Sequence, residues 1–427
     1  MKSQNKRKMK QVRRRNAKLY PIYKMFSWDL LCFYSIEFLF LTITKKIDVA
    51  DVLFLDAFYL LCKMIVQIPS VTICDFLGRK NSIVLGNALA ALYMLILIIA
   101  PNKYIIMLGK FMCAFGYGIK NLSEGNLLYD SVATKGGDGL YTKIDSKGGS
   151  MYYILEGTAS LIAGYLFVIN NYIPVIICFT FLAISTIISC GFSDVYDLKQ
   201  ERKNNVIATF KSYGKDLKDT CKFIFNSNRM KAFILFRVVF YSLVRIIDIY
   251  RSDLLLDVGV SEEQFSIIFA VFTFIAAIAV NMRETIEKKY KNRTLTFISI
   301  LYILPIILIG MITCDFKGRA IIPIILVLLV ITKIATSIWY ILEGKYLKNF
   351  TTEKARTKIA FTYEFIGCMA SAIATFLAGK LVQVVTIEQA FLLIGLIGFI
   401  ALVLTLDYMR TRFGLKPKEY SKQDIDF

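Results

Sequence analysis

The chain has 427 residues, is 56% hydrophobic with a mean hydropathy of +0.56, and carries a formal charge of +20. Soluble domains run about 45–50% apolar, and here runs of roughly 20 apolar residues, long enough to cross a ~30 Å hydrocarbon core, recur from end to end. The composition excludes an ordinary soluble enzyme and points to an all-α polytopic membrane protein. The excess of cations does not call for nucleic acid, because Lys and Arg collect in the N-terminal tail and in alternate loops, as the positive-inside rule has them.

Residues 1–18 are half Lys and Arg and read as a disordered basic tail that holds the N-terminus in the cytoplasm. Contact with anionic headgroups is the alternative. No short apolar core with a small-residue cleavage site follows, so the segment does not read as a cleaved signal peptide. Twelve spans are expected, at about 20–43, 52–74, 82–100, 104–128, 151–169, 172–192, 230–256, 263–280, 295–313, 320–341, 359–382 and 387–406. The polar, glycine-rich stretch 134–150 reads as a flexible loop, and the segments from Arg283 to Arg293 and from Lys345 to Lys358 as basic loops. Residues 194–229 carry Lys199, Arg202, Lys203, Lys211, Lys215, Lys218 and Lys222 and divide the chain. They read either as a solvated linker or, in part, as an amphipathic helix on the inner membrane surface.

The expected organisation is therefore a tail (1–18), a six-span bundle (19–193), a linker (194–229), a second six-span bundle (230–408) and a C-terminal tail (409–427). Both termini fall inside. Two six-span halves joined by a basic linker is a repeat architecture of secondary transporters.

Between the second and third spans lies Asp75-Phe-Leu-Gly78-Arg79-Lys80, a carboxylate, a glycine and two cations with almost no loop around them. This hinge is similar to the signature Gly-x-x-x-Asp-x-x-Gly-Arg-Arg/Lys of the major facilitator superfamily, with Val71 in place of the opening glycine. The fourth span ends in Glu124-Gly-Asn-Leu-Leu-Tyr129-Asp130-Ser131, which resembles a branch of that family rich in small-molecule exporters. The resemblance implies the twelve-span fold and a conformational latch of Asp75, Gly78, Arg79 and Lys80, with Arg79 paired to Asp130. A topology-setting turn with solvated charges is the other reading of the hinge. Lys110 stands where relatives carry an arginine tied to proton coupling; the Gly-Pro signature of many proton antiporters is absent from the fifth span.

Ionisable groups inside a span are costly and usually line a cavity or pair with one another. The candidates for solute and proton contacts are Glu37, Lys63, Lys110, Lys120, Glu124, Arg245, Asp248, Lys333 and Glu364. Glu156 and Arg237 also lie within spans. Asp56 and Arg251, near span ends, are expected to snorkel to the interface. Arg237, Arg245 and Asp248 fall roughly on one helix face, either toward a central cavity or as a static ion pair. The aromatic residues read mainly as packing and interface anchors.

The chain has no histidine. That removes a Ser-His-Asp triad and a His-based metal site, and leaves proton chemistry near neutral pH to carboxylates. The nine cysteines show no Cys-x-x-Cys spacing and read as small buried hydrophobes. With no phosphate-binding glycine loop either, no cofactor, metal or catalytic residue is expected, and energy must come from a gradient. The reading is a monomeric, proton-coupled transporter of the cytoplasmic membrane that exports a small amphipathic compound by antiport. The alternatives are uptake of an anionic or zwitterionic solute, favoured by the mid-depth bases, and a non-transporting receptor that keeps the fold.

Overall fold

The computed structural model describes residues 2–132, 137–195, 206–290, 293–316, 318–349 and 356–413. These are almost wholly helical. The chain divides into two compact units, Met1–Lys46 with Leu61–Gly214, and Ile47–Leu60 with Lys215–Phe427.

In the first unit, α1 (Lys2–Ser27) continues through the basic tail, where a disordered segment was expected. Its last turns are held by packing: Tyr20 and Tyr23 are buried against Ile83, Leu127, Leu128, Val132 and Phe192. Asn16 donates to Ser131 Oγ at 3.0 Å and to the Ser193 carbonyl at 2.8 Å. The first expected span is then interrupted at mid-length. After Ser27 the chain leaves the helix and resumes in α2 (Glu37–Leu39) and a π-helical turn (Phe40–Thr44). No Gly or Pro lies between. Locally, the Asp29 carboxylate accepts the Leu30 N–H at 2.8 Å, a side chain competing with the helix ladder for a backbone donor. Cys32 sits at φ +69°, a left-handed conformation that strains a non-glycine residue by about 1–3 kcal/mol and persists only where surroundings impose it.

α3 (Val49–Ile65) and α4 (Gln67–Leu77) meet at a bend at Val66, just ahead of Pro69, which removes a donor from the ladder. Gly78, at φ +85°, alone separates α4 from α5 (Arg79–Ile99), so the hinge is a single-residue break. α5 and α6 (Lys103–Val132) cross at Gly86 and Gly116, where a Cβ on either would come within 2.6 Å of the other's carbonyl oxygen.

α7 (Gly137–Ile169) runs through the stretch expected as a flexible loop. The glycines there serve close packing on α1: Gly148 faces Lys24 and Pro21, and Gly149 faces the Trp28 ring. α8 (Ile173–Cys190) completes the packed helices of this unit, against α1, α5 and α7. α9 (Val206–Asn226) follows, with Lys211, Lys215, Lys218 and Lys222 all exposed. The rest of the linker, 196–205, and the tail from 414 lie outside the described residues.

The second unit is built from the first part of α3, up to Leu60, with α10 (Asn228–Asp257), α11 (Glu262–Tyr290), α12 (Thr294–Asp315), α13 (Ile322–Asn349), α14 (Arg356–Val382) and α15 (Ile387–Phe413). The two stretches expected as basic loops are largely helical extensions of α11 and α13; neither 281–290 nor 345–349 contains the Gly or Pro that would stop a helix. An aromatic core of Phe233, Phe236, Phe240, Tyr302 and Trp339 packs with ring centroids 5.0–6.2 Å apart. Among the described residues, seven helices are long and apolar enough to cross a membrane. α6 and α10 are not among the seven, and both hold buried charge at mid-length.

Candidate functional site

In the first unit the buried charges gather around the break in the first span, and α6 holds both of its sides. Lys120, 1% exposed, donates to the carbonyl of Ser27, the last residue of α1. A cation at a helix C-terminus meets carbonyls that have no intrahelical donor, and it opposes the negative end of the helix dipole. Its ammonium also lies 4.1 Å from the Tyr117 ring centre. Lys110, ten residues earlier on α6, pairs with Glu37, the first residue after the break. Glu124, one turn beyond Lys120, accepts the Tyr23 hydroxyl at 3.1 Å, and Asn87 donates to that hydroxyl at 3.2 Å. On α7, Asp145 accepts from Lys24 at 2.5 Å and from Tyr20 at 3.3 Å. Deeper on the same helix, Glu156 accepts the Cys32 N–H at 3.4 Å and the Ser160 hydroxyl at 3.2 Å.

At the hinge, Arg79 forms an ion pair with Asp130 and donates to the Asn126 carbonyl at 2.8 Å. The Lys80 N–H donates to Asp194 at 3.0 Å, and the Ser82 hydroxyl closes on the Gly78 carbonyl at 2.6 Å. The Asp75 side chain lies outside the described residues. Lys63 falls in the last turn of α3, half-buried.

The second unit centres on Arg237 of α10, 3% exposed. Its guanidinium donates to Glu343 of α13 at 2.9 Å and to Glu364 of α14 at 2.5 Å, and reaches the Tyr363 carbonyl at 3.3 Å. The Tyr363 hydroxyl donates to Glu343 at 2.9 Å, and its ring lies 4.5 Å from the guanidinium. Gly367 leaves the space: a Cβ there would overlap the guanidinium. Arg is suited to this position because its planar fork serves two carboxylates at once.

Arg245 pairs with Asp56, and Asp248 with Arg251 at 3.0 Å. Lys333 of α13 lies within electrostatic reach of Asp248 and Arg251. Asp56, expected to snorkel, is 7% exposed: a carboxylate with a guanidinium beside it gains more by pairing than by reaching for water. Arg251 likewise has an acid partner rather than a snorkelling role. Sequence reasoning therefore left out of the site Asp56, Glu156, Arg237, Glu343, Tyr363 and Tyr23. Glu156 and Arg237 carried a visible signal, charge inside a span. Glu343 was hidden because the tenth span was ended at 341, and nothing marks Tyr23 among 24 tyrosines.

No group of three or more metal-ligating side chains occurs among the described residues. The arrangement binds and matches charge in an apolar surrounding; what it can do chemically is exchange protons and contact charged solutes.

The sequence profile of the Major Facilitator Superfamily matches residues 26–316. No curated relative matches the sequence significantly. Among solved structures, the chain is similar to a variant of the nucleoside transporter NupG, at 12% identity and a TM-score of 0.71, covering 93% of this chain and 100% of that one. It is similar to a POT family transporter in complex with 5-aminolevulinic acid, at 13% identity and a TM-score of 0.69, covering 93% and 96%. It is also similar to a D-xylose-proton symporter, at 10% identity and a TM-score of 0.65, covering 96% and 99%. At these identities the likeness is one of fold, and it agrees with the all-α, multi-pass architecture already described. The profile match extends over more than half of the sequence: the chain belongs to the Major Facilitator Superfamily and is a membrane transporter of that fold.

Proposed function

We propose that the protein is a proton-coupled secondary transporter that takes up a small polar solute carrying charge of both signs, by alternating access of the halves 19–193 and 230–408. The observation that carries this reading is charge matching. Lys110 faces Glu37, Arg245 faces Asp56, Arg237 faces two glutamates, and Lys120 faces a backbone carbonyl with Glu124 one turn away. Bases matched in this way leave no field that selects an anion alone, and a set of acid–base pairs suits a zwitterion better than a lipophilic cation. The solutes of the similar proteins, nucleosides, 5-aminolevulinic acid and D-xylose, are all polar. Export of an amphipathic compound by antiport is the second reading, favoured by the resemblance of residues 124–131 to the exporter branch. The proposed setting is the cytoplasmic membrane, with both termini inside and the protein monomeric.

Proton flux in sealed proteoliposomes decides between these. Addition of amino acids, small peptides, nucleosides and lipophilic cations to one side should give solute-dependent flux for a polar zwitterion, with protons moving in the same direction as the solute. Opposite movement would establish antiport, and silence across the panel would leave uniport or a non-transporting receptor as the better reading.

The hinge is proposed as the latch between conformations. Asp130→Asn, which removes the charge facing Arg79, should abolish flux while the protein still inserts in the membrane at wild-type levels; unimpaired flux would reduce the hinge to a turn.

A further inference from the structure

The break in the first span has a third holder besides Lys110 and Lys120, and it differs from them in kind. Glu156 is 5% exposed on α7, inside an apolar helix pair, and its carboxylate accepts two protein hydrogen bonds and forms no ion pair among the described residues. Four other acids in the first unit have a cation: Glu37 has Lys110, Asp130 has Arg79, Asp145 has Lys24, and Glu124 has Lys120 one turn away. The groups that face Glu156 are Cys32 and Asp29 from the unwound stretch of the first span, Tyr152 and Ser160 from its own helix, and Cys178 from α8. From α6, Cys113 reaches Cys178 and Asp29. None of these supplies a positive charge. A carboxylate removed from water without a cation is relieved by taking a proton.

One of its two donors is also special. The Cys32 N–H belongs to the residue at φ +69°, where the backbone has left the helix and cannot donate four residues back. The acceptor that satisfies it is Glu156 Oε2.

We propose that Glu156 is a proton-binding residue and that its charge holds the first span open at Cys32. Ionised, the carboxylate makes a charge-assisted hydrogen bond to the Cys32 N–H, roughly twice as strong as a neutral one. A proton from water adds to one carboxylate oxygen and forms an O–H bond. The Ser160 hydroxyl adapts, since it can turn from donor to acceptor. The Cys32 N–H has only a donor to offer and is left with a weaker neutral acceptor. Proton occupancy is thereby linked to the geometry of residues 28–36, whose flanking Ser27 and Glu37 are tied to α6 by Lys120 and Lys110. This deepens the transport reading and rests on it, because it names where the proton sits and what it moves.

The test uses the full chain in liposomes and needs no solute. Infrared pH-difference spectra should show a protonated-carboxyl C=O band in the wild type that Glu156→Gln removes. Hydrogen exchange read by mass spectrometry, corrected for the intrinsic pH dependence, should show protection over 28–36 changing by about tenfold between acid and alkaline conditions. In Glu156→Gln it should stay at the acid value. A band that survives in Glu156→Gln, or protection that still follows pH in that variant, overturns the proposal. If Glu156→Gln does not fold, Glu156→Asp keeps the acid on a shorter stem, and the band should move in frequency; an unchanged band also overturns it. Failure of transport itself would appear separately, as wild-type protein that titrates at Glu156 yet gives no solute-dependent proton flux.

Discussion

The two units solve the same problem, charge inside a membrane-length helix, in opposite ways. In the first, the leading span is broken between Ser27 and Glu37, and the freed backbone becomes a partner for charge: Lys120 takes a carbonyl, Glu156 takes an N–H. In the second, the leading helix α10 runs unbroken for 30 residues and carries Arg237, Arg245, Asp248 and Arg251, each matched by a side chain. A continuous helix has satisfied most of its own backbone and meets charge mainly with charge. A broken one exposes dipoles that do the same work at lower net charge. The difference teaches where movement is expected: side-chain pairs across intact helices fix a packing, whereas hydrogen bonds to an unwound stretch can be exchanged.

The sharpest way to break this comparison is Arg237→Ala. It removes the cation from Glu343 and from the partly exposed Glu364, and loss of one member of a buried ion pair costs up to about 3–5 kcal/mol. The variant should show the largest fall in detergent melting temperature of any discussed, with Arg237→Lys intermediate because an ammonium cannot serve both carboxylates in a plane. A small effect would mean that water replaces the guanidinium, and that α10 is less tightly matched than its contacts suggest.

Lys120→Met comes second. It deprives the Ser27 carbonyl of its donor in a site 1% exposed, a loss of about 1–3 kcal/mol for an orphaned buried acceptor. Because the break holds other partners, the unit should stay folded while exchange rises over residues 24–36 specifically. A uniform rise across α1, α6 and α7 would show that Lys120 supports packing in general rather than the break.

Much of this was legible in the residues. Hydropathy marked the apolar runs, most of which are helices, the Asp75–Lys80 pattern marked the single-residue break at Gly78, and charge inside apolar runs marked Glu37, Lys110, Lys120, Arg245 and Glu364, each of which has a polar or charged partner. What was not legible depends on contacts distant in sequence. Residues 28–36 read as part of one apolar run because they contain no Gly or Pro; the partners that meet the interruption, Lys110, Lys120 and Glu156, come from two other helices. The glycines at 148 and 149 read as a loop because sequence shows flexibility, while the Trp28 ring and Lys24 stem that need the missing Cβ lie more than a hundred positions away. Asp56 looked like an interfacial acid for the same reason: Arg245 is 189 residues off.

The smallest expected effect is the most informative about function. Asp248 leaves 38% of its side chain exposed, and its ion pair with Arg251 is an i,i+3 contact on one helix. Such pairs are worth about 0.2–0.5 kcal/mol, so Asp248→Asn should move the melting temperature by little. The fold does not need this charge, unlike that of Arg237. Yet it sits within electrostatic reach of Lys333 and beside the buried Tyr302, in a helix where every ionisable group is unfavourable unless it contributes elsewhere. A charge that stability does not account for is a candidate for contact with the solute or the proton. Asp248→Asn should therefore keep wild-type stability and lose most solute-dependent flux, or lose its pH dependence. Wild-type flux with an unchanged pH profile would return Asp248 to the status of a helix-surface pair and leave Lys333 and Glu364 as the solute-facing charges of the second unit.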